Sequence, residues 1–294
     1  MTRLISFLAH AVYMGTPLLF GTVGEIQNEK AGHLNLGVEG TMAMGACAGF
    51  MVAYKTGSLW LSILAAFLMG ALVSLIYAFL TITMMANQNV TGLTLTIFGT
   101  GLSNFIGEQM ISASPTGNLK LPDGVMSSLK NIDIPLLSKI PVLGEVLFSQ
   151  NIFTYLSIVI AVIMFIYLKK TKVGLNLRTI GENPAVADAV GISVVKYKYI
   201  NVLIGGGICG IGGAFCSMVI NGGVWMANSV NGLGWIAVAL VIFAVWNPAR
   251  AIYGAYIFGA FMVLKYYFPK NLGFTVPELS LIHISEPTRR VVIS

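Results

Sequence analysis

Long apolar runs, separated by thin polar stretches, constrain this chain more than any other feature. A helix needs roughly 20 apolar residues to cross the hydrocarbon of a bilayer. The runs at 4–23, 41–54, 59–83, 92–107, 152–168, 199–220, 233–246 and 251–268 reach or approach that length. Composition agrees: 56% of residues are hydrophobic and 10% charged, against about 25% charged in a soluble domain. In water such a chain would expose large apolar patches, which soluble monomers rarely do. The predicted fold class is therefore an all-α membrane protein, a polytopic bundle of about eight transmembrane helices. Its 33 glycines suit helices that pack closely through small residues.

The runs at 41–54, 92–107 and 233–246 are short, with Gly-rich and polar flanks, and predict broken or partly re-entrant helices. Irregular backbone at membrane depth is tolerated only inside protein or beside a water-filled cavity. Asn35-Leu36-Gly37 opens one helix group and Asn231-Gly232-Leu233-Gly234 opens a later one, an echo that suggests two related halves. The last stretch reads as foreign. LSLIHISEPTR resembles a translated sequencing-library adapter, so 279–294 is expected to be a non-native tail, with the final native helix lost by truncation.

Loop charge sets orientation. Lys169, Lys170, Lys172, Arg178, Lys196 and Lys198 surround a loop at about 169–198 that holds only Glu182 and Asp188 as acids. The other long loop, 108–151, balances Lys120, Lys130 and Lys139 against Glu108, Asp123, Asp133 and Glu145. The first loop is expected to be cytoplasmic and the second external, which puts the N-terminus outside. The formal charge of +6 is spread through such loops and predicts no nucleic-acid partner.

Enzyme signatures are missing. His10, His33 and His283 are isolated, and no HExxH, G-x-S-x-G or GxxxxGK[ST] pattern occurs. No catalytic residue, metal site or cofactor of its own is expected. Cys47, Cys209 and Cys216 sit in apolar stretches and read as buried thiols. Trp60, Trp225, Trp235 and Trp246 lie near helix ends, where interfacial belts occur.

Polar residues within the bilayer are costly and tend to be functional. Asn35, Glu39, Thr91, Thr96, Asn104 and Asn231 are the candidate substrate pathway, with Asn87, Asn89 and Thr94 as further polar positions. Glu39 reads in three ways: as a cap at a helix break, a substrate contact or part of a proton relay. The Asn and Thr residues equally suit hydrogen bonds between helices.

The basic loop contains a readable helix. Asn183 is a good N-cap and Pro184 fits the first helical position. A short helix over 185–190 is then closed by Gly191, with a second starting near Ser193 and merging into the next span. Such a pair under a membrane fits docking to a soluble partner, or simply a solvated loop.

LRTIGENPAVADAVGI is similar to the cytoplasmic coupling loop of the branched-chain amino acid, ribose and nucleoside permease family of ABC importers. EIQNEKAGHLNLGVEG resembles that family's opening signature, keeping Ala31-Gly32, Asn35, Gly37 and Glu39-Gly40 in register. NGLGWIAVALVIFAVWNPARAIYGAYIFG resembles a third block. The resemblance is closest to the nucleoside-type permeases. It implies a permease subunit in the bacterial plasma membrane, paired with a second permease, identical or not, and with ATPase subunits that bind ATP and Mg. An extracellular lipoprotein would deliver nucleosides or simple sugars. Gly181, Glu182, Asn183, Pro184, Ala187, Asp188 and Gly191 would contact the ATPase. A branched-chain amino acid is another possible cargo. The alternative class is an ion-coupled transporter or channel, for which Glu39 is the one intramembrane carboxylate visible in the apolar runs; a membrane enzyme lacks any converging His, Asp or Glu.

Overall fold

The computed structural model describes residues 2–114, 117–133 and 143–267. The tail at 279–294, with His283, and Lys139 of the second long loop lie outside the described residues.

Helices build the molecule. In chain order they are α1 (Thr2–Lys30), α2 (Val38–Thr56), α3 (Leu59–Ala78, continued by a π-helical turn Phe79–Thr83), α4 (Gln88–Ala113), α5 (Asp123–Ser128), α6 (Leu143–Leu147), α7 (Ile152–Lys170), α8 (Lys172–Glu182), α9 (Pro184–Ala189), α10 (Val194–Phe215, continued by a π turn Cys216–Ile220), α11 (Leu233–Phe243) and α12 (Pro248–Tyr267). A two-stranded antiparallel pair, β1 (Ile132–Asp133) and β2 (Ser149–Gln150), lies within the second long loop. Among the described residues, four helical segments are long and apolar enough to cross a membrane: Arg3–Lys30, Leu59–Thr83, Ile152–Lys170 and Val194–Ile220. Leu233–Phe243 and Pro248–Leu264 are shorter apolar helices.

Helix α10 is the hub, buried along most of its length from Asn201 to Ser217 and packed on α1, α2 and α3. Its glycines make that possible. A Cβ at Gly213 would fall 1.8 Å from the Met42 carbonyl oxygen, and one at Gly206 would strike Ser74. Backbones in such contact gain dispersion and Cα–H···O interactions that larger residues would forbid. Around this hub the buried core holds Phe20, Phe50, Phe153 and Phe215. The outer faces of α3, α4 and α12 carry exposed Leu68, Leu72, Ile97, Phe105, Tyr253 and Phe261, the surface expected where lipid is the solvent.

Two expectations about helix length are corrected. The fourth run is neither short nor broken, because α4 continues through polar residues at both ends, from the Asn87 cap to Ala113. The first run does not stop at residue 23. Helix α1 carries on through Glu25, Gln27 and Asn28, all fully buried. These side chains find distant partners: Asn35 for Glu25 and Asn201 for Gln27. Trp225 also departs from its expected place, being 5% exposed and edge-on to Phe50 rather than at an outer rim.

The helices define two ends. At one, Lys30 of α1, the α3–α4 turn, α8, α9 and the α11–α12 reversal gather. His10, Ile220 and Tyr267 lie at the other, where the Tyr13 hydroxyl reaches the Val219 carbonyl and Tyr267 meets His10.

Candidate functional site

Glu39 begins α2, and its carboxylate spans to another helix. Oε1 accepts from the Gly232 N–H at 2.8 Å and Oε2 from the Gly234 N–H at 2.7 Å. These are the unpaired donors at the start of α11. Glycine permits the approach: Gly232 takes φ +85°, and a Cβ on Gly234 would sit 2.5 Å from the Glu39 Cα. The helix starts that follow the two sequence echoes thus meet in space, Glu39 against Gly232 and Gly234, while Leu36 and Gly37 themselves pack on α4. Of the three readings of Glu39, the observed bonding is a cap, given to the partner half-helix rather than to its own. Along α4 this junction lies level with Gly99, since a Cβ there would meet the Gly40 carbonyl at 2.6 Å. Gly99 is about 16 Å along α4 from Gln88 at 1.5 Å per residue, well inside the bundle.

Beside the cap is a cavity of about 260 Å3 lined by Glu39, Thr100, Ser103, Asn104, Asn228 and Asn231 among others. Asn228 and Asn231 both hold left-handed backbone, φ +54° and +49°, a conformation Asn tolerates better than other side-chain-bearing residues. Glu39, Asn104 and Asn231 of the candidate pathway therefore come together. The other three do not line it. Asn35 Oδ1 closes a turn onto Gly37 N–H at 2.8 Å, Thr96 donates to the Leu36 carbonyl at 3.0 Å, and Thr91 is a buried residue in the first turns of α4.

Glu39 is not alone as an intramembrane carboxylate, which corrects that expectation. Glu25 is fully buried, accepting from Asn28 Nδ2 at 2.8 Å and from the Asn35 N–H at 2.7 Å. Glu29 accepts from the indole N–H of Trp246. Trp246 and Val245 form a left-handed reversal between α11 and α12, at φ +50° and +51°. Each of these acids thus holds a chain reversal or helix start. The sequence signal was available in the Glu-Ile-Gln-Asn-Glu spacing, but its polarity reads as a loop.

The second candidate region is α8–α9. Asn183 caps α9 as expected, its Oδ1 accepting from the Val186 N–H at 3.2 Å, with Pro184 at the first position. Gly191 closes the helix at φ +79°, and Ile192 N–H returns to the Ala187 carbonyl at 3.0 Å. Helix α8 was not anticipated. Thr171 caps it, and Gly174, Leu177 and Ile180 form its buried stripe. Glu182, Asn183, Pro184, Asp188 and Gly191 are exposed on α9 and its flanks. Val186 and Val190 are 52% and 68% exposed beside them. Ala187 is not on that face: it is fully buried. Gly181 faces α1, where a Cβ would lie 2.4 Å from the Lys30 carbonyl oxygen.

The chain is 37% identical over 254 residues to a putative glucose ABC transporter permease of Haloferax volcanii, covering 86% of this chain and 75% of the relative. It is 34% identical over 264 residues to a nucleoside ABC transporter permease of Lactococcus lactis, covering 87% and 81%. A guanosine ABC transporter permease of Bacillus subtilis is 34% identical over 265 residues, with the same coverage. No solved structure matches at a significant level. Residues 7–284 match the family of branched-chain amino acid transport system permease components. The chain belongs to that family, and is a multi-pass membrane permease subunit of an ABC importer, a transport subunit and not an enzyme.

Proposed function

We propose that this permease carries nucleosides into the cytoplasm, driven by separate ATPase subunits that dock on α8–α9. The observation carrying the docking half is the exposed pair Val186, on the short, capped helix α9, and Val190, at its C-cap, with Glu182 before the helix and Asp188 within it. Apolar side chains on a rigid helix suit a soluble partner's groove. ATP and Mg belong to that partner. The α8–α9 end is then cytoplasmic, by its excess of Lys and Arg, and the start of α1 is outside. A second permease, identical or different, completes the path, and an extracellular lipoprotein supplies substrate at the cell membrane.

The nucleoside assignment is supported by the two relatives named for nucleoside and guanosine transport. The cavity agrees: among the described residues its lining offers amides, hydroxyls and one capped carboxylate, and no Lys or Arg. An uncharged, hydrogen-bonding cargo fits such a wall better than a phosphorylated one. A sugar is the second reading, favoured by the relative named for glucose.

Replacing Val186 and Val190 by Asp tests docking. Both side chains point away from the bundle, so the variant should fold, yet the ATPase subunits should no longer co-purify. Undiminished co-purification and uptake would remove α9 as the docking element. Uptake of labelled guanosine against labelled glucose, in cells carrying the whole importer, decides the cargo.

A further inference from the structure

We infer that Asn104 reads the hydrogen-bonding edge of the nucleobase, and that Asn228 holds the base's place while the cavity is empty; this rests on the nucleoside reading above. The carboxamide of Asn104 is engaged on both sides by one residue. Its Nδ2 donates to Asn228 Oδ1 at 2.8 Å, and its Oδ1 accepts from the Asn228 backbone N–H at 2.9 Å. Asn228 therefore offers an acceptor and a donor side by side. Guanine presents the same pair through O6 and N1–H, and uracil through O4 and N3–H. An Asn carboxamide meeting a base edge with two hydrogen bonds is a well-matched geometry.

The surroundings favour exchange of one partner for the other. Asn104 is on the regular helix α4, a fixed support, whereas Asn228 is in left-handed backbone on the irregular stretch between α10 and α11. That stretch is tied down locally by Asn221 Nδ2 to Ser229 Oγ at 3.1 Å and by the Glu39 cap at Gly232. Asn104 lies about 24 Å along α4 from Gln88, on the far side of the Glu39 junction from α8–α9. It is thus met before the junction by a solute arriving from outside. Among the described residues no aromatic side chain lines the cavity, so the ring edge rather than the ring face is what this wall can recognise. A carboxamide with both bonds satisfied by protein gives up no buried polar group when the base leaves, which suits a site that must release its cargo.

Binding to the detergent-purified permease–ATPase complex, without the delivering lipoprotein, tests this directly. Tritiated guanosine is displaced by unlabelled guanosine, by 1-methylguanosine, which lacks the N1–H donor, or by glucose. In the native complex 1-methylguanosine should compete about 10-fold or more weakly. Asn104→Ala should weaken guanosine by a similar factor and bring the two competitors level. Asn228→Gly, which suits the left-handed backbone and removes the side-chain acceptor of the stand-in while leaving its backbone N–H, should tighten guanosine while keeping the preference. Equal competition by 1-methylguanosine in the native complex overturns the assignment, even if Asn104→Ala fails to assemble. An Asn104→Ala complex that assembles and keeps the preference overturns it too. Retention of tritiated glucose in a parallel assay, with no binding of tritiated guanosine, defeats the nucleoside reading itself, an outcome distinct from guanosine bound without edge selectivity.

Discussion

At the scale of single residues, the buried acids matter because each one spans a break in the helical ladder. Orphan backbone N–H groups cannot be left bare in a bilayer, and Glu39 answers two of them at 2.8 and 2.7 Å. Glu39→Gln keeps one acceptor and sets an amide donor against the other N–H. It should cost about 2 kcal/mol and lower both uptake and the melting temperature in detergent; an unchanged melt would show that the cap is dispensable. His33 carries a second residue-scale prediction. It is 2% exposed in the α1–α2 turn, its ring nitrogens without a hydrogen-bond partner among the described residues and its edge against Tyr77. Burial, with Lys198 adding like charge, pushes its pKa down from 6.5 to about 4. Between those values the unfolded chain binds a proton that the folded one refuses, so stability falls as pH drops below 6.5, by about 2 kcal/mol at pH 5. His33→Phe keeps a ring against Tyr77 and should flatten the melting temperature between pH 7 and 5 relative to the native chain. Parallel pH curves would place the acid sensitivity elsewhere.

Among the elements, α8 and α1 share the contact through which a push on α9 would travel. Gly181 meets the Lys30 carbonyl, and Gly32, at φ +81°, lies against Gly181 in turn. From that turn Tyr77 reaches the Leu34 carbonyl at 2.7 Å and Gln88 receives the Leu34 N–H at 2.9 Å, while Glu29 holds the α11–α12 reversal. Gly181→Ala should force α8 off α1, leaving Val186 and Val190 exposed as before. Co-purification of the ATPase subunits is expected to survive while uptake falls at least several-fold; full uptake would mean that force takes another route. The elements differ in how far the sequence disclosed them. Helix α9 was legible because Asn183, Pro184 and Gly191 are adjacent signals with local causes. Helix α8 was not, since its stripe of Gly174, Leu177 and Ile180 is short and begins on a glycine. The last turns of α1 were hidden for another reason: their polar side chains are paid for by partners far along the chain, as with Gln27 and Asn201.

For the whole molecule, hydropathy predicts an all-helical membrane bundle, and among the described residues four segments meet the length and apolarity of a span. Which polar residues face a cavity was beyond the sequence. Asn35 and Asn104 are the same residue type, yet one closes the turn before α2 and the other, within α4, lines open space. Only the meeting of α2, α4 and α11 separates them. The central claim is that this chain is a conduit moved by a separate ATP-hydrolysing engine. Reconstitution into liposomes measures it most directly, comparing the permease dimer alone with the complete importer, with and without ATP and Mg. The account predicts guanosine accumulation only in the complete, ATP-supplied system; sustained guanosine flux through the permease alone, without nucleotide, would contradict it.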